Sequence, residues 1–436
     1  AAAIEPSPTP FAPSLSHLWE REGAKGVGEG RFSTPFASNR KRIPHEVSRM
    51  KGRSLLMIPG PVESEPEVLA ALADPATSHV APAFIEIFGR ALERLRVVFN
   101  CPDGQPFIVA GSGTLAMDLL AANLTEPGMR ALVVNTGYFG DRFGDMLTRY
   151  GAEVTHLRAP IGGAPTPAEV DAALSLHRYH LLTITHVDTS TGVRADVQGI
   201  AAVARRHDVL CLVDGVCSVG GEALDMTGWG VDAALTASQK ALAVPPGLAL
   251  AVAGPRALSA FQARKTPVAS YYSDWSLWLP VMQAYEARRP AYFATPAVNL
   301  VHALEMSLAQ IVAEGMEARV ARHRRLSDAL KAGIAALGLN QVPLHPELAA
   351  TTLTAVYYPE GVDASLLPKV AAAGVILAGG LHKEIRDRYF RIGHMGAVRP
   401  ADILATLGAL ETGLAAAGYR FDHGAGVAAA QAALIA

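Results

Sequence analysis

The sequence has few cysteines, little charge imbalance and no long uninterrupted apolar run. Its 436 residues include three cysteines, Cys101, Cys211 and Cys217. They are too few for a disulfide framework and lack metal-site spacing, which favours a reducing, intracellular setting. No run of about 18 uninterrupted apolar residues occurs, so we predict no transmembrane helix. The 38 basic and 40 acidic residues leave a net charge of −2. Neither nucleic acid nor an anionic membrane is therefore expected as a partner.

The first 53 residues differ in composition from the rest of the chain. They mix proline, serine, glycine and charge without a clear period, and they include five glutamates. Organelle-targeting segments are poor in acidic residues, so we predict a poorly ordered extension or a packing arm. The C-terminal ALIA is not a Ser-Lys-Leu peroxisomal address, and the choice among cytoplasm, mitochondrion and peroxisome stays open.

From residue 54 onward, short apolar runs alternate with helical periods. Half of all residues are hydrophobic, which is enough for a large domain with a smaller one attached. The strand candidates are 106–110, 131–135, 180–185, 209–214, 231–237 and 247–253. Helical patterns cover 114–124, 140–150, 167–176 and 197–206. Such alternation predicts a mainly parallel sheet covered on both faces in a large domain over 54–300. A long helical stretch over about 297–337 and shorter strands beyond it predict a smaller α+β domain over 301–436.

Polar residues gather where four of these strands end. In AGSGTLAM (110–117), a strand runs through a glycine-rich turn into a helix, whose first N–H groups form an anion site. Gly111, Gly113 and Ala116 also match the dinucleotide fingerprint G-x-G-x-x-G/A. The next strand ends at Asn135, with no acid to hold a ribose, so the turn fits a single phosphate better than a dinucleotide. A plain tight turn is the alternative.

The other three strand ends are THVDTSTG (185–192), Asp214 and Lys240. Each has an ordinary structural alternative: a hydrogen-bonded loop, a structural ion pair or helix cap, and a solvated boundary lysine. Taken together with the glycine-rich turn, they are the parts that pyridoxal phosphate requires. The turn takes the phosphate, Lys240 forms an imine with the aldehyde, and the Asp214 carboxylate keeps the pyridine nitrogen protonated.

At these residues the chain resembles the class V aminotransferases of fold type I, and among them the fungal alanine–glyoxylate aminotransferases. The resemblance covers about residues 55–400. It depends on the segments IPGPV (58–62), AGSGT, THVDTSTG, VDGVCSVG, ALTASQKA, AYFATP (291–296), AGGLHK (378–383) and RIGHMG (391–396). It implies a large domain with a mostly parallel seven-stranded sheet, and a smaller C-terminal α+β domain. It also implies ping-pong transamination of L-alanine with glyoxylate, giving pyruvate and glycine.

The resemblance also assigns roles to individual residues. Lys240 would hold the cofactor and move the proton between the substrate Cα and C4′ of the cofactor, while Asp214 would pair with the pyridine nitrogen. The substrate carboxylate would be held by Arg391, because a planar guanidinium fits a carboxylate with two hydrogen bonds. Gly60 would bring backbone close to the substrate. The remaining cofactor contacts would be Ser112, Gly113, Thr114, Phe139, Thr189 and Gln239, with Tyr292 and Thr295 reaching across from the second subunit of a homodimer.

Four other functions compete with this one. Serine–glyoxylate or serine–pyruvate transamination would use the same residues. A cysteine desulfurase needs a cysteine on a C-terminal loop, and none follows Cys217. A Rossmann dehydrogenase would explain the glycine-rich turn but not Lys240. A non-catalytic protein on the same fold would not need Lys240, Asp214 and Arg391 to be intact.

Overall fold

A computed structural model describes residues 54–435, so the prediction for residues 1–53 lies outside the described part. The strands of the described part are β1 (Leu55–Leu56), β2 (Gln105–Ala110), β3 (Arg130–Asn135), β4 (Glu153–Arg158), β5 (Leu181–Thr185), β6 (Val187–Asp188), β7 (Val193–Arg194), β8 (Leu210–Asp214), β9 (Ala233–Ala237), β10 (Leu248–Ala253), β11 (Leu353–Tyr357), β12 (Val375–Ile376), β13 (Ala378–Gly379) and β14 (Tyr389–Gly393). The helices of the described part are α1 (Pro66–Leu72), α2 (Pro82–Val98), α3 (Gly113–Leu124), α4 (Tyr138–Arg149), α5 (Pro167–Leu176), α6 (Val197–Arg206), α7 (Met226–Trp229), α8 (Pro255–Gln262), α9 (Trp275–Glu286), α10 (Val298–Glu314), α11 (Met316–Ala336), α12 (Leu366–Ala372), α13 (Pro400–Ala416) and α14 (Ala425–Ile435).

A seven-stranded sheet forms the centre of the large unit, in the order β2-β10-β9-β8-β5-β3-β4. The pairs from β9 to β4 are parallel, whereas β10 is antiparallel to both of its neighbours. This confirms the predicted mostly parallel seven-stranded sheet. Because β2 runs in the same direction as β9, the carboxyl ends of β2, β9, β8, β5 and β3 share one edge of the sheet. Ligands of open α/β sheets bind at that edge.

Six strands of the sheet coincide with the apolar runs predicted as strands, because a strand covered on both faces excludes polar side chains. The seventh, β4, was not predicted as a strand. Its sequence EVTHLR alternates between exposed and half-buried positions, which suits the edge of a sheet. Charged residues on an edge strand also discourage pairing with another chain.

The helices lie close to their predicted ranges, with one difference. The long helical stretch predicted over about 297–337 is two helices, α10 and α11, which are separated at Gly315. Gly315 has a φ of +83°, which glycine adopts readily and other residues adopt only with strain. The sequence patterns did not predict five further helices, α1, α7, α8, α9 and α14.

A second, smaller unit follows α10. Its antiparallel sheet has the order β11-β14-β13, and its apolar side chains form a hydrophobic cluster separate from that of the large sheet. The larger cluster extends to Ile311 in α10, and the smaller one includes Met57 near the beginning of the described chain. The division into domains at residues 54–300 and 301–436 remains a prediction.

Within residues 54–435, no helix combines the length and the apolar character that crossing a membrane requires.

Candidate active site

Lys240 lies in the turn that follows β9, at the carboxyl edge of the sheet. The Ser238 hydroxyl holds this turn, because it donates to the Pro245 carbonyl at 2.8 Å and accepts from the Leu248 N–H at 3.2 Å. The Lys240 side chain is only 8% exposed, and its Nζ donates a hydrogen bond to the Pro59 carbonyl oxygen. Burial lowers the pKa of Lys240, which increases the share of neutral, nucleophilic amine.

The backbone at Gly60 passes directly over the Lys240 side chain. A Cβ at Gly60 would lie 2.6 Å from Cδ and 2.9 Å from Nζ of Lys240. Gly60 also has a φ of +104°, so a side chain at this position would be strained as well as obstructed. The Gly60 backbone therefore lies close to the Lys240 amine, and its place beside the substrate stays a prediction.

Asp214 is the last residue of β8, next to β9 in the sheet, and is 2% exposed. Burial raises its pKa to about 6, and the nearby Asp188 charge acts in the same direction. Among the described residues, only the Val216 N–H donates a hydrogen bond to this carboxylate, at 3.0 Å to Oδ1. A buried carboxylate with one donor lacks the partners that would stabilise its charge.

The glycine-rich turn after β2 opens into α3, and its N-cap residue is Ser112. The Ser112 side chain makes no capping hydrogen bond to the helix, so within residues 54–435 its hydroxyl and the first N–H groups of α3 can bind an anion. At Gly113 an added Cβ would lie 3.0 Å from Val216, so the backbone approaches the loop after Asp214 closely. The buried Oε1 of Gln239, beside Lys240 in sequence, has no hydrogen-bond partner within residues 54–435.

Phe139 lies in the first turn of α4, and residues of another loop hold it there. The N-cap, Gly137, has no side chain to cap the helix, and the loop after β6 supplies the caps instead. The Ser190 hydroxyl accepts from the Tyr138 N–H at 3.0 Å, and the Asp188 carboxylate accepts from the Phe139 N–H at 3.2 Å. These two contacts fix the start of α4, which carries Phe139, relative to the sheet edge.

Arg391 comes from β14 of the smaller unit and reaches the loop after β6. Its Nε donates to the Gly379 carbonyl at 2.8 Å, and its Nη1 donates to the Thr189 carbonyl at 3.1 Å. The remaining guanidinium N–H groups have no hydrogen-bond partner among the described residues. Burial lowers the pKa of Arg391, and the Arg391 charge in turn lowers the pKa of Lys240. The two cationic groups are therefore close enough to influence each other.

Tyr292 and Thr295 are not brought into this cluster by the single chain. Both side chains are exposed, Tyr292 to 62%. The Tyr292 ring packs against His79, with the ring centroids 5.2 Å apart. Their contact with a cofactor across a subunit interface stays a prediction.

Four residues of the cluster were not assigned roles from the sequence: Asp188, Ser190, Cys217 and Tyr389. Asp188 and Ser190 lie in the quoted segment THVDTSTG, and burial raises the pKa of Asp188. The Thr352 hydroxyl donates to the Cys217 carbonyl at 2.7 Å, and burial raises the pKa of the Cys217 thiol. The Tyr389 hydroxyl donates to the Ser190 carbonyl oxygen. Asp188 lies shortly after the buried strand β5, and Asp214 ends the buried strand β8, so the same position at the end of an apolar run could have identified Asp188.

The arrangement fits pyridoxal phosphate in three respects. Residues 112–114, at the start of α3, form an anion cup that includes the hydroxyl of Ser112, which makes no capping hydrogen bond, and this group of residues is the phosphate cup. The buried Asp214 carboxylate, which needs a proton-bearing partner, lies at the end of β8 on the same edge of the sheet. The buried Lys240 amine, whose pKa is lowered, lies in the turn after β9, the next strand of the sheet. These are the groups that a phosphate, a pyridine nitrogen and an aldehyde require.

Comparison with known proteins agrees with this geometry. The family model described as "Aminotransferase class-V" matches residues 66–398. The chain is 40% identical to alanine–glyoxylate aminotransferase 1 of Saccharomyces cerevisiae, over 79% of this chain and 93% of the yeast protein. It is 32% identical to a serine–glyoxylate aminotransferase of Arabidopsis thaliana, over 87% of this chain and 94% of that protein. The solved structure of an alanine–glyoxylate aminotransferase from Nostoc sp. superposes with a TM-score of 0.80 at 33% identity, covering 88% of this chain and all of that one. The chain belongs to the class V aminotransferases of fold type I.

Proposed function

We propose that this protein transfers the amino group of L-alanine to glyoxylate, giving pyruvate and glycine. The observation that carries the proposal is the buried Lys240 amine, whose pKa responds to both Asp214 and Arg391. The yeast and Nostoc relatives, both named for alanine and glyoxylate, support this choice of substrates.

Pyridoxal phosphate is the cofactor of this family, and when bound it supplies an electron-poor ring that accepts the electron pair of the broken Cα–H bond. Lys240 would hold the cofactor covalently until the amino group of the substrate takes its place, and the freed Lys240 amine would then take the proton from Cα and return it at C4′. The Asp214 carboxylate would keep the pyridine nitrogen protonated. Because burial favours the neutral form of both side chains, each has a reason to pair with a charged partner.

The remaining residues would position the cofactor and the substrate. Arg391, whose remaining N–H groups have no hydrogen-bond partner within residues 54–435, would hold the carboxylate common to every α-amino and α-keto acid in this chemistry. The Gly60 backbone would line the substrate side of Lys240. The phosphate would be held by Ser112, Gly113, Thr114 and Gln239, the ring by Phe139 and Thr189, and the phosphate of the neighbouring subunit by Tyr292 and Thr295. A homodimer follows from this last assignment, because one chain leaves Tyr292 and Thr295 exposed.

Serine is the second candidate donor. The Arabidopsis relative is named for serine, and the Thr189 and Cys217 side chains place polar groups among the cluster residues. A site that hydrogen-bonds the serine hydroxyl would discriminate strongly against alanine, whereas a small apolar site would accept both. The ratio of the two kcat/KM values, measured with glyoxylate as acceptor, decides between them.

The first test is an absorption titration of the protein with L-alanine. We expect a band near about 420 nm to move to about 330 nm when alanine is added, and to return when glyoxylate follows. The Lys240→Ala variant should lack the covalently bound cofactor, while Lys331→Ala, a lysine of the smaller unit, should behave like the wild type. A protein that stays colourless with pyridoxal phosphate would instead support the non-catalytic alternative.

A further inference from the structure

Arg142, on the first turns of α4, connects the phosphate cup with the aromatic side chains beside it. Its Nη1 donates to the Thr114 hydroxyl at 2.9 Å, and its Nη2 donates to the Tyr138 hydroxyl at 3.3 Å. The guanidinium carbon lies 5.0 Å from the centroid of the Phe139 ring and 5.1 Å from that of Tyr138. One side chain therefore contacts both groups that would hold the cofactor, the cup and the ring support.

The charge of Arg142 has no carboxylate in ion-pair contact within residues 54–435. Its two hydrogen bonds there go to neutral hydroxyls. Arg158, near the same helix, is different, because it pairs with Asp141 at 2.5 Å. A half-buried guanidinium at the edge of an anion cup is short of a negative partner, and guanidinium groups bind phosphate through charge-assisted hydrogen bonds.

The position of Arg142 also affects the opposite end of the site. Burial raises the pKa of Asp214 overall, and the Arg142 charge is among those that act against that rise. The guanidinium is thus close enough to the sheet edge to stabilise negative charge there. Its contacts with two aromatic faces hold it in place, since cations are attracted to such faces within about 6 Å.

We propose that Arg142 is a cofactor-positioning residue that holds the Thr114 hydroxyl toward the phosphate and stabilises the phosphate charge. The inference depends on the proposed function, since it assumes that pyridoxal phosphate occupies the cup. It goes further by assigning the charge that neutralises the phosphate to a helix side chain outside the glycine-rich turn.

The test compares two ligands that differ only in the phosphate, pyridoxal phosphate and pyridoxal, on the cofactor-free full chain. We expect R142Q to weaken pyridoxal phosphate binding about tenfold or more, and to change pyridoxal binding by less than about threefold. The matched control is R149Q, on the same helix, because Arg149 is exposed and lies along the same surface pocket without a bond to the cup. R149Q removes the same charge and should leave both affinities unchanged.

The R142K variant distinguishes the loss of the phosphate contact from a loss of folding. It keeps the charge and loses the two-pronged geometry, so it should recover part of the affinity for pyridoxal phosphate. Equal losses for both ligands in R142Q, or no loss for either, would overturn the inference while the wild type still binds cofactor. A wild type and an R149Q that both fail to bind pyridoxal phosphate would overturn the proposed function, and this inference with it.

Discussion

Asp214 and Lys240 are both buried charged groups, and burial shifts their pKa values in opposite directions. It raises the pKa of the Asp214 carboxyl to about 6 and lowers the pKa of the Lys240 amine. Both shifts favour the neutral forms, because a low-dielectric site disfavours charge. Such paired shifts are typical of functional sites, where stability is given up for chemistry.

Asn in place of Asp214 should stabilise the cofactor-free protein in a pH-dependent way. The folded carboxyl binds its proton more tightly than the unfolded one, with a pKa of about 6 against 3.8. Its contribution to stability is therefore present below about pH 4 and is lost as the pH rises through about 6. The free energy of unfolding of D214N minus that of the wild type should grow by about 2 kcal/mol between pH 4.5 and pH 7.5. Urea unfolding at the two pH values measures this difference.

Asp145 provides the control for this experiment. It is an exposed carboxylate on α4, so D145N removes one negative charge without relieving any burial. The difference between D145N and the wild type should stay nearly constant with pH. A D214N variant that behaves like D145N would show that burial of Asp214 is not costly.

Alanine in place of Gly60 should slow catalysis without unfolding the protein. The new Cβ would lie 2.6 Å from Cδ and 2.9 Å from Nζ of Lys240, so the side chain that carries the reacting amine would have to shift. We expect kcat to fall at least about tenfold, since even small misplacements of reacting groups are costly. Single-turnover reaction with L-alanine measures the loss.

A substitution at Gly361 is the control that distinguishes obstruction of Lys240 from backbone strain. It has a φ of +77°, and a Cβ added there would meet no atom within 4 Å, so G361A carries a similar strain of about 1 kcal/mol at an open position. G361A should keep wild-type kcat with a similar loss of stability. If G60A also keeps wild-type kcat, the close approach of Gly60 to Lys240 has no role in the reaction.

At the scale of elements, the start of α4 depends on a loop that is distant in sequence. Gly137 cannot cap the helix itself, and the Ser190 hydroxyl and Asp188 carboxylate accept its first N–H groups. The helix that carries Phe139 and Arg142 is therefore positioned by the loop that also receives Arg391 at Thr189. Capping here serves the geometry of the site as well as the stability of the helix.

The Ser190→Ala variant should lose both stability and cofactor affinity. Removing the hydroxyl leaves the Tyr138 N–H without its acceptor, at a cost of about 1 to 2 kcal/mol. Because Phe139 is the next residue, the affinity for pyridoxal phosphate should fall severalfold. Urea unfolding and a cofactor titration measure the two effects.

Thr166 is the matched control, because it caps α5 away from the site. Its hydroxyl accepts from the Glu169 N–H at 3.3 Å in an exposed capping box. T166A should lose about 1 kcal/mol of stability with no change in cofactor affinity. Equal affinities for T166A and S190A would contradict a positioning role for the Ser190 cap.

The elements also show how far sequence patterns reach. Strands β2, β3, β5, β8, β9 and β10 were predicted because each is a continuous apolar run covered on both faces. The edge strand β4 was missed because half of its side chains face solvent, which weakens the pattern. Residues that directly follow buried strands, such as Asp214 and Lys240, stood out as site candidates. Arg142 did not, since its meaning depends on Thr114, 28 residues away, and only the fold joins them.

At the scale of the molecule, the site combines residues positioned by the large sheet with a residue of the smaller sheet. Asp214 ends β8 of the large sheet and Lys240 lies in the turn after β9, whereas Arg391 extends from β14 of the smaller sheet to the Thr189 carbonyl. The exposed Tyr292 and Thr295 take no part in this cluster within one chain. No sequence pattern distinguishes an exposed residue that faces a second subunit from one that faces water, so that assignment came from resemblance.

Mixing two defective variants tests whether each site is shared between subunits. K240A lacks the reacting amine, and the double variant Y292A/T295A lacks the side chains proposed to reach the neighbouring phosphate. In a mixed dimer, one site would combine Lys240 of one chain with intact Tyr292 and Thr295 of the other. Random pairing makes half of the dimers mixed, so the mixture should recover about one quarter of wild-type activity at limiting cofactor. Activity equal to the average of the two separate variants would place every site within a single chain, and the exposure of Tyr292 and Thr295 would then have another cause.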